Sequence, residues 1–149
     1  MFNIFKTKQQ KAYKFAETLI GVKEILGSKH EKKILGFFET VGHSWVRDDE
    51  TAWCAAFVGH CLEKVGLEST RKLNARSYLD WGIEVPIAEL KEGDIVVFSR
   101  GRNIAQGHVA FFVGFNQNKD LVVLGGNQGN MVSKQAYAKE RFLGGRRYK

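Results

Sequence analysis

The sequence predicts an α+β domain, with N-terminal helices packed on one side of a C-terminal antiparallel β-sheet. Three observations carry this. Apolar residues recur at helical spacing as far as Gly82, short apolar runs take over from Gly93, and the connections between those runs suit antiparallel pairing. At 149 residues, with 44% hydrophobic content and a single proline, the chain makes one domain that buries a core without metal or disulfide staples. Residues of about 1–45 are expected to form a helical N-terminal part, and 46–149 the core that carries any chemistry.

The first helix is expected over 9–20, where Ala12, Phe15, Ala16, Leu19 and Ile20 share a face and Gly21 weakens the pattern. A second, His30 to Gly42, buries Ile34, Leu35, Phe37 and Phe38, with Ser28 as its cap and Gly42 as its stop. From about Thr51 the residues Ala55, Phe57, Val58, Cys61, Leu62 and Val65 form one stripe, so Cys54 falls in the first turns of a third helix. A short helical piece, ARSYLDWG, spans Ala75 to Gly82. Strands follow at Asp94–Phe98, His108–Phe115 and Leu121–Gly126, joined by the turn-rich RGRNIAQG and NQNKD. No internal repeat, low-complexity segment or interdomain linker is visible.

The net charge is +7. Basic residues cluster at Lys6, Lys8, Lys11 and Lys14, at Lys32 and Lys33, at Arg100 and Arg102, and at Arg146, Arg147 and Lys149. Any one cluster reads as a solvated face; together they favour an anionic partner, whether nucleic acid, membrane surface or cell-wall polymer. The start, MFNIFKTKQQKAYK, lacks the apolar run and cleavage site of a signal peptide, and nothing approaches a membrane-spanning length. Synthesis in the cytoplasm is therefore expected. The two cysteines, seven apart on one helix, would hold their Cα atoms roughly 10 Å apart, too far for a disulfide.

A cysteine at a helix N-terminus has its thiolate stabilised by the dipole and by unpaired N–H groups, which makes Cys54 a nucleophile candidate. Cysteine is also among the most buried residue types, so a packing role for Cys54 stands beside the reactive one, and Cys61 reads as core. A thiol nucleophile needs a nearby base, usually imidazole, and a polar group to orient it. His30, His43 and His60 read as surface residues. His108 opens an apolar strand, sharing a face with Ala110, Phe112 and Gly114 that would suit a packed helix; it is either a base or a satisfied core histidine. The following strand ends in GGNQGN, which delivers Asn127 and Gln128 to its neighbourhood, or simply makes a turn.

The order WCAAFVGHCL, ARSYLDWG, GDIVVFSRG, GHVAFFVG and VLGGNQGN resembles the cysteine, histidine-dependent amidohydrolase/peptidase (CHAP) domains and their NlpC-type relatives, peptidoglycan hydrolases with a papain-like core. The resemblance runs from about Phe15 to Tyr148 and is strongest to the small single-domain phage and prophage subgroup. It implies a papain-like fold in which Cys54 is the nucleophile, His108 the base and Asn127 the residue that orients it. It also implies acyl transfer from an amide of the wall peptide through a thioester, by endopeptidase or N-acetylmuramoyl-L-alanine amidase action. The sequence calls for no cofactor and offers no metal-ligand set, and it leaves bound calcium open. The Cys54 N–H is the candidate oxyanion donor. Trp53, Tyr78, Trp81 and Gln128 are groove candidates, and Asp49 could meet a substrate amine. Ala52 departs from the proline that the subgroup often carries before the Trp-Cys pair, which bears on loop stiffness.

Peptidoglycan is then the expected partner, with anionic envelope polymers attracted to the basic surface, no nucleic acid, no membrane insertion and a monomeric protein. A phage-type lysin without a signal peptide would reach the wall through a permeabilised membrane. Two rivals compete. A zinc site from Cys54, His60, Cys61 and His108 fails on spacing, because Cys-x5-His-Cys on a helix does not converge tetrahedrally. A non-catalytic nucleic-acid- or envelope-binding protein fits the charge, but the basic residues form no recognisable nucleic-acid motif.

Overall fold

The computed structural model describes residues 7–24, 29–43, 53–102 and 106–148. Three helices, α1 (Lys8–Glu17), α2 (Lys29–Thr40) and α3 (Cys54–Lys64), precede six strands. These are β1 (Ile83–Val85), β2 (Ile95–Ser99), β3 (Gly107–Phe115), β4 (Leu121–Gly125), β5 (Ser133–Tyr137) and β6 (Phe142–Arg147). Every pairing is antiparallel, in the order β1-β6-β2-β3-β4-β5. The expected α+β order holds, β2 to β4 form the expected meander, and β5, not expected from the sequence, extends it. β6 then returns to lie between β1 and β2.

α1 starts at a reciprocal cap, in which the Gln10 N–H donates to the Thr7 hydroxyl and the Thr7 N–H donates to the Gln10 carbonyl oxygen. It ends three residues before the expected Ile20, where the Thr18 hydroxyl bonds back to the Phe15 carbonyl. α2 stops before Gly42, whose φ of 90° ends the helix as expected. Ser28, its expected cap, lies outside the described residues. The short helical piece at Ala75–Asp80 is a 3-10 turn.

The core has two layers. Ala12, Tyr13 and Ala16 of α1, Ile34, Phe37 and Phe38 of α2 and Phe57, Val58, Cys61 and Leu62 of α3 pack on Ile95, Val97, Val109, Phe111 and Leu124 of the sheet. The opposite face carries Val96, Phe98, Ala110, Phe112, Leu121, Val123 and Tyr137, covered by Ile87, Leu90 and Phe142. Ala110 and Phe112 thus face away from the helices, the reverse of what was expected for the His108 face. β3 is buried on both sides, so its sequence carries no polarity that tells one face from the other.

Candidate active site

Cys54 is the first residue of α3, and the N-cap before it is Trp53, which supplies no side-chain cap. A serine or aspartate there would engage the first N–H groups; here the cap side chain does not. The N–H groups of Cys54 and Ala55 lie against the thiol, as does the Val109 N–H from β3. Burial raises the thiol pKa above its usual value, and the Val109 N–H, the Arg100 charge and the two helix N–H groups oppose that rise. Cys61 differs. Burial alone pushes it well above the usual thiol range.

His108 is fully buried at the start of β3, opposite Phe98 of β2. Its Nε2 stands 2.7 Å from Oε1 of Gln128. The Gln128 amide nitrogen donates to the carbonyls of Val123, at 3.3 Å, and Ser133, at 2.7 Å. With both N–H bonds directed at carbonyls, Oε1 must be the atom that faces the ring, so the His108 Nε2 carries the proton. Nδ1 is left with a bare lone pair and has no hydrogen-bond partner. Burial lowers the His108 pKa to about 4; the Gln128 bond raises it, and Arg100 and Arg141 lower it further. The ring is neutral at pH 7.

Helix and sheet meet here. The thiol takes the N–H of Val109, the residue after His108, although no hydrogen bond joins thiol to imidazole. Tyr137, at the end of β5, stacks on the His108 ring with centroids 5.0 Å apart and planes at 16°. Burial raises the Tyr137 phenol pKa, the nearby Arg100 and Arg141 charges oppose that rise, and Cys54 adds to it.

The GGNQG turn explains how the sheet reaches α3. A Cβ on Gly126 would lie 2.7 Å from the Trp53 ring, and one on Gly125 would lie 2.6 Å from the Gln128 Oε1. Asn127 has φ 60°, a left-handed conformation that asparagine tolerates, and it makes no hydrogen bond to His108. The structure therefore joins His108 to Gln128, sets the Cys54 thiol against the backbone of Val109, the next residue of β3, and places Asn127 in the turn beside Gln128.

The other sequence candidates are placed differently. Trp53 and Tyr78 are fully buried and Trp81 nearly so. Trp53 hydrogen-bonds the Glu24 carboxylate and packs on Phe37. Trp81 donates to the Glu68 carbonyl. As these side chains stand, they pack in the core and present no groove wall. Asp49 lies outside the described residues. His60 is not a surface residue: it sits between Phe15 and Phe37, and its Nδ1 is bonded to Thr40. The His43 ring meets the Arg71 carbonyl, and the His30 side chain lies outside the described residues. Among the described residues no group of three His, Cys, Asp or Glu could hold a metal ion. Tyr137 and Arg141 escaped the sequence reading because SKQAYAKE carries no strand pattern, and Arg100 stood out only as charge.

A sequence model described as CHAP domain matches residues 46–127, more than half of the chain. No curated protein matches. Among solved structures, the chain is similar to the P60 domain of an antigen from M. avium subspecies paratuberculosis. That likeness has a TM-score of 0.59 at 15% identity, over 94% of this chain and 93% of that one. A mutated form of the Resuscitation Promoting Factor Interacting protein RipA gives 0.59 at 17% identity, and a hypothetical invasion protein of Mycobacterium tuberculosis gives 0.58 at 18%. Each of these two aligns over 95% of this chain, which spans 62% of theirs. Such identities carry the fold.

Proposed function

The chain belongs to the CHAP domain family, and from that premise we propose that it is a cysteine hydrolase of bacterial peptidoglycan, cleaving an amide of the stem peptide through a thioester on Cys54. The observation that carries the reading is the bare Nδ1 of a buried, neutral His108 whose other nitrogen is held by Gln128. Such a ring accepts one proton, on one atom, in a direction the fold determines.

The Cys54 thiol gives its proton to Nδ1 as it attacks the amide carbonyl. The oxyanion forms against the N–H of Cys54, in a water-poor setting that strengthens the bond. The imidazolium then protonates the leaving amine, and water, deprotonated by the restored imidazole, cleaves the thioester. In the resting protein the pair is neutral, because burial disfavours both thiolate and imidazolium. Proton transfer therefore accompanies attack. We assign the orienting role to Gln128 rather than Asn127.

The finer parts of the reading are a phage-type lysin, delivered through a permeabilised membrane, acting as endopeptidase or amidase without metal or cofactor, and monomeric. Among the described residues no helix is long and apolar enough to cross a membrane. The test is digestion of purified peptidoglycan by wild type and by Cys54→Ala, with soluble products weighed by mass spectrometry. Release by wild type alone is expected, and the product masses name the bond. Equal release by the folded mutant, or none by either, removes the assignment and returns the basic surface as the lead.

A further inference from the structure

The His108 ring has one polar restraint. Its Nε2 is held at 2.7 Å by the Gln128 Oε1, and its Nδ1 has no hydrogen-bond partner among the described residues. In a histidine the Nε2–H points mostly along the line of the Cβ–Cγ bond, whereas Nδ1 projects to the side of it. Rotation about χ2 therefore swings the Nδ1 lone pair through a wide arc while disturbing the Gln128 bond much less. Torsions of this kind have broad minima. Gln128 alone leaves the direction of the bare lone pair loosely set.

A flat neighbour supplies what that bond lacks. Tyr137 lies against the His108 ring with centroids 5.0 Å apart and planes 16° from parallel. It is nearly parallel to Phe98 as well, at 4.9 Å and 21°. Phe98 and His108 are cross-strand partners in β2 and β3, so the sheet register holds those two rings side by side. Arg141 braces the tyrosine, its guanidinium 5.0 Å from the ring centroid and anchored by Nε and Nη2 bonds of 3.0 and 2.9 Å to the Ser99 carbonyl at the end of β2. A stacked plane resists χ2 rotation, because the imidazole cannot turn edge-on without driving an edge into its neighbour and losing face contact.

We infer that Tyr137 is a positioning residue for the base, a ring face that fixes the χ2 of His108 and so aims Nδ1, with Phe98 and Arg141 as its brace. The role in catalysis rests on the function proposed above; the restraint on the ring does not. Tyr137 acts through its plane and not its hydroxyl, so phenylalanine can replace it and a branched aliphatic cannot. Gln128 and Tyr137 divide the work. One decides which nitrogen carries the proton, and the other decides where the bare nitrogen points.

The test compares Tyr137→Leu, Tyr137→Phe and Phe112→Leu. Phe112 belongs to the same buried layer, where its ring meets Phe115 edge to face, so Phe112→Leu controls for lost core volume. Two quantities are read: steady-state digestion of purified peptidoglycan, and the NMR order parameter of the His108 Cδ2–H bond, which projects to the side and follows χ2. In wild type the order parameter should match that of rigid backbone, about 0.85, and in Tyr137→Leu it should fall below about 0.6. In the same variant kcat should fall about tenfold with KM within about twofold. Tyr137→Phe should return both quantities to their wild-type values, and Phe112→Leu should lower the denaturation midpoint while moving neither. An order parameter unchanged in Tyr137→Leu, a loss in Tyr137→Phe equal to that in Tyr137→Leu, or the same kcat loss in Phe112→Leu overturns the inference. If Tyr137→Leu does not fold, Arg141→Gln takes its place by loosening the brace; the order parameter should then fall part of the way, and an unchanged value overturns the inference. Relaxation needs no substrate. The expected order parameters in proteins that digest nothing keep the restraint and remove the peptidoglycan reading, whereas digestion with a kcat indifferent to Tyr137 removes the positioning role and keeps that reading.

Discussion

Gln128 uses its whole side-chain amide: two carbonyls take its N–H bonds and the His108 ring takes its oxygen. Gln128→Ala leaves a buried imidazole N–H without an acceptor. That costs about 1–3 kcal/mol of orientation, so kcat should fall on the order of tenfold to a hundredfold in steady-state digestion assays. Asn127→Gly keeps the left-handed backbone and should leave kcat within about twofold, since only the positive φ is at stake. A loss at Asn127 equal to that at Gln128 would reassign the role. The sequence brought an amide to this place but not the choice between neighbours, because side chains in a turn lack the alternation that sorts a strand. The buried histidines also make stability depend on pH. His60 and His108 have folded pKa values near 4 against 6.5 when free, so above pH 6.5 neither contributes any pH dependence. Between 6.5 and about 4 the unfolded chain takes up protons that the folded one refuses. Stability should drop there by up to about 1.4 kcal/mol per pH unit for each such ring. Urea midpoints at steps across that window measure it, and a flat profile would mean that the rings protonate in place.

At the scale of elements, the β4–β5 turn packs through two glycines, Gly126 against the start of α3 and Gly125 against Gln128 and β3. Gly126→Ala drives a methyl into the Trp53 ring and the Phe57 Cβ, at 2.7 and 2.8 Å, where α3 begins. A cost of about 1–3 kcal/mol is expected in chemical denaturation. Gly125→Ala meets the Gln128 Oε1 and the Ala110 Cβ, so it should disturb the His108 bond and reduce activity by a larger factor than it reduces stability. Comparing kcat with the denaturation midpoint separates the two. The helices and the apolar strands β2, β3 and β4 were legible from the residues because length and periodicity agree there. β1, β5 and β6 were not. β1 has three residues, β5 is SKQAY with mostly exposed side chains, and β6 has Gly144 and Gly145 at its centre, so none shows an apolar run. Tyr137 and Arg141 were missed with them.

For the whole molecule, the surplus of seven positive charges includes a group of lysines on the surfaces of α1 and α2. Lys8, Lys11, Lys14, Lys32 and Lys33 are all exposed, and among the described residues Lys14 pairs with Glu17. Long-range attraction to an anionic wall should therefore weaken as salt rises from about 0.1 to 1 M and the screening length contracts from about 10 to 3 Å. Sedimentation of the inactive Cys54→Ala protein with purified wall measures this without hydrolysis; salt-independent binding would exclude the lysine faces as the attraction. The topology bears on how the protein is made. β6 is the last of these six strands to leave the ribosome, yet its place is inside the sheet, between β1 and β2. A nascent chain stalled after Arg141 would hold the β2 backbone open for pairing with its neighbours on a polysome, and β1 would have no strand to join. Premature termination there would threaten solubility before it threatened chemistry, although Cys54, His108 and Gln128 would all have been synthesised.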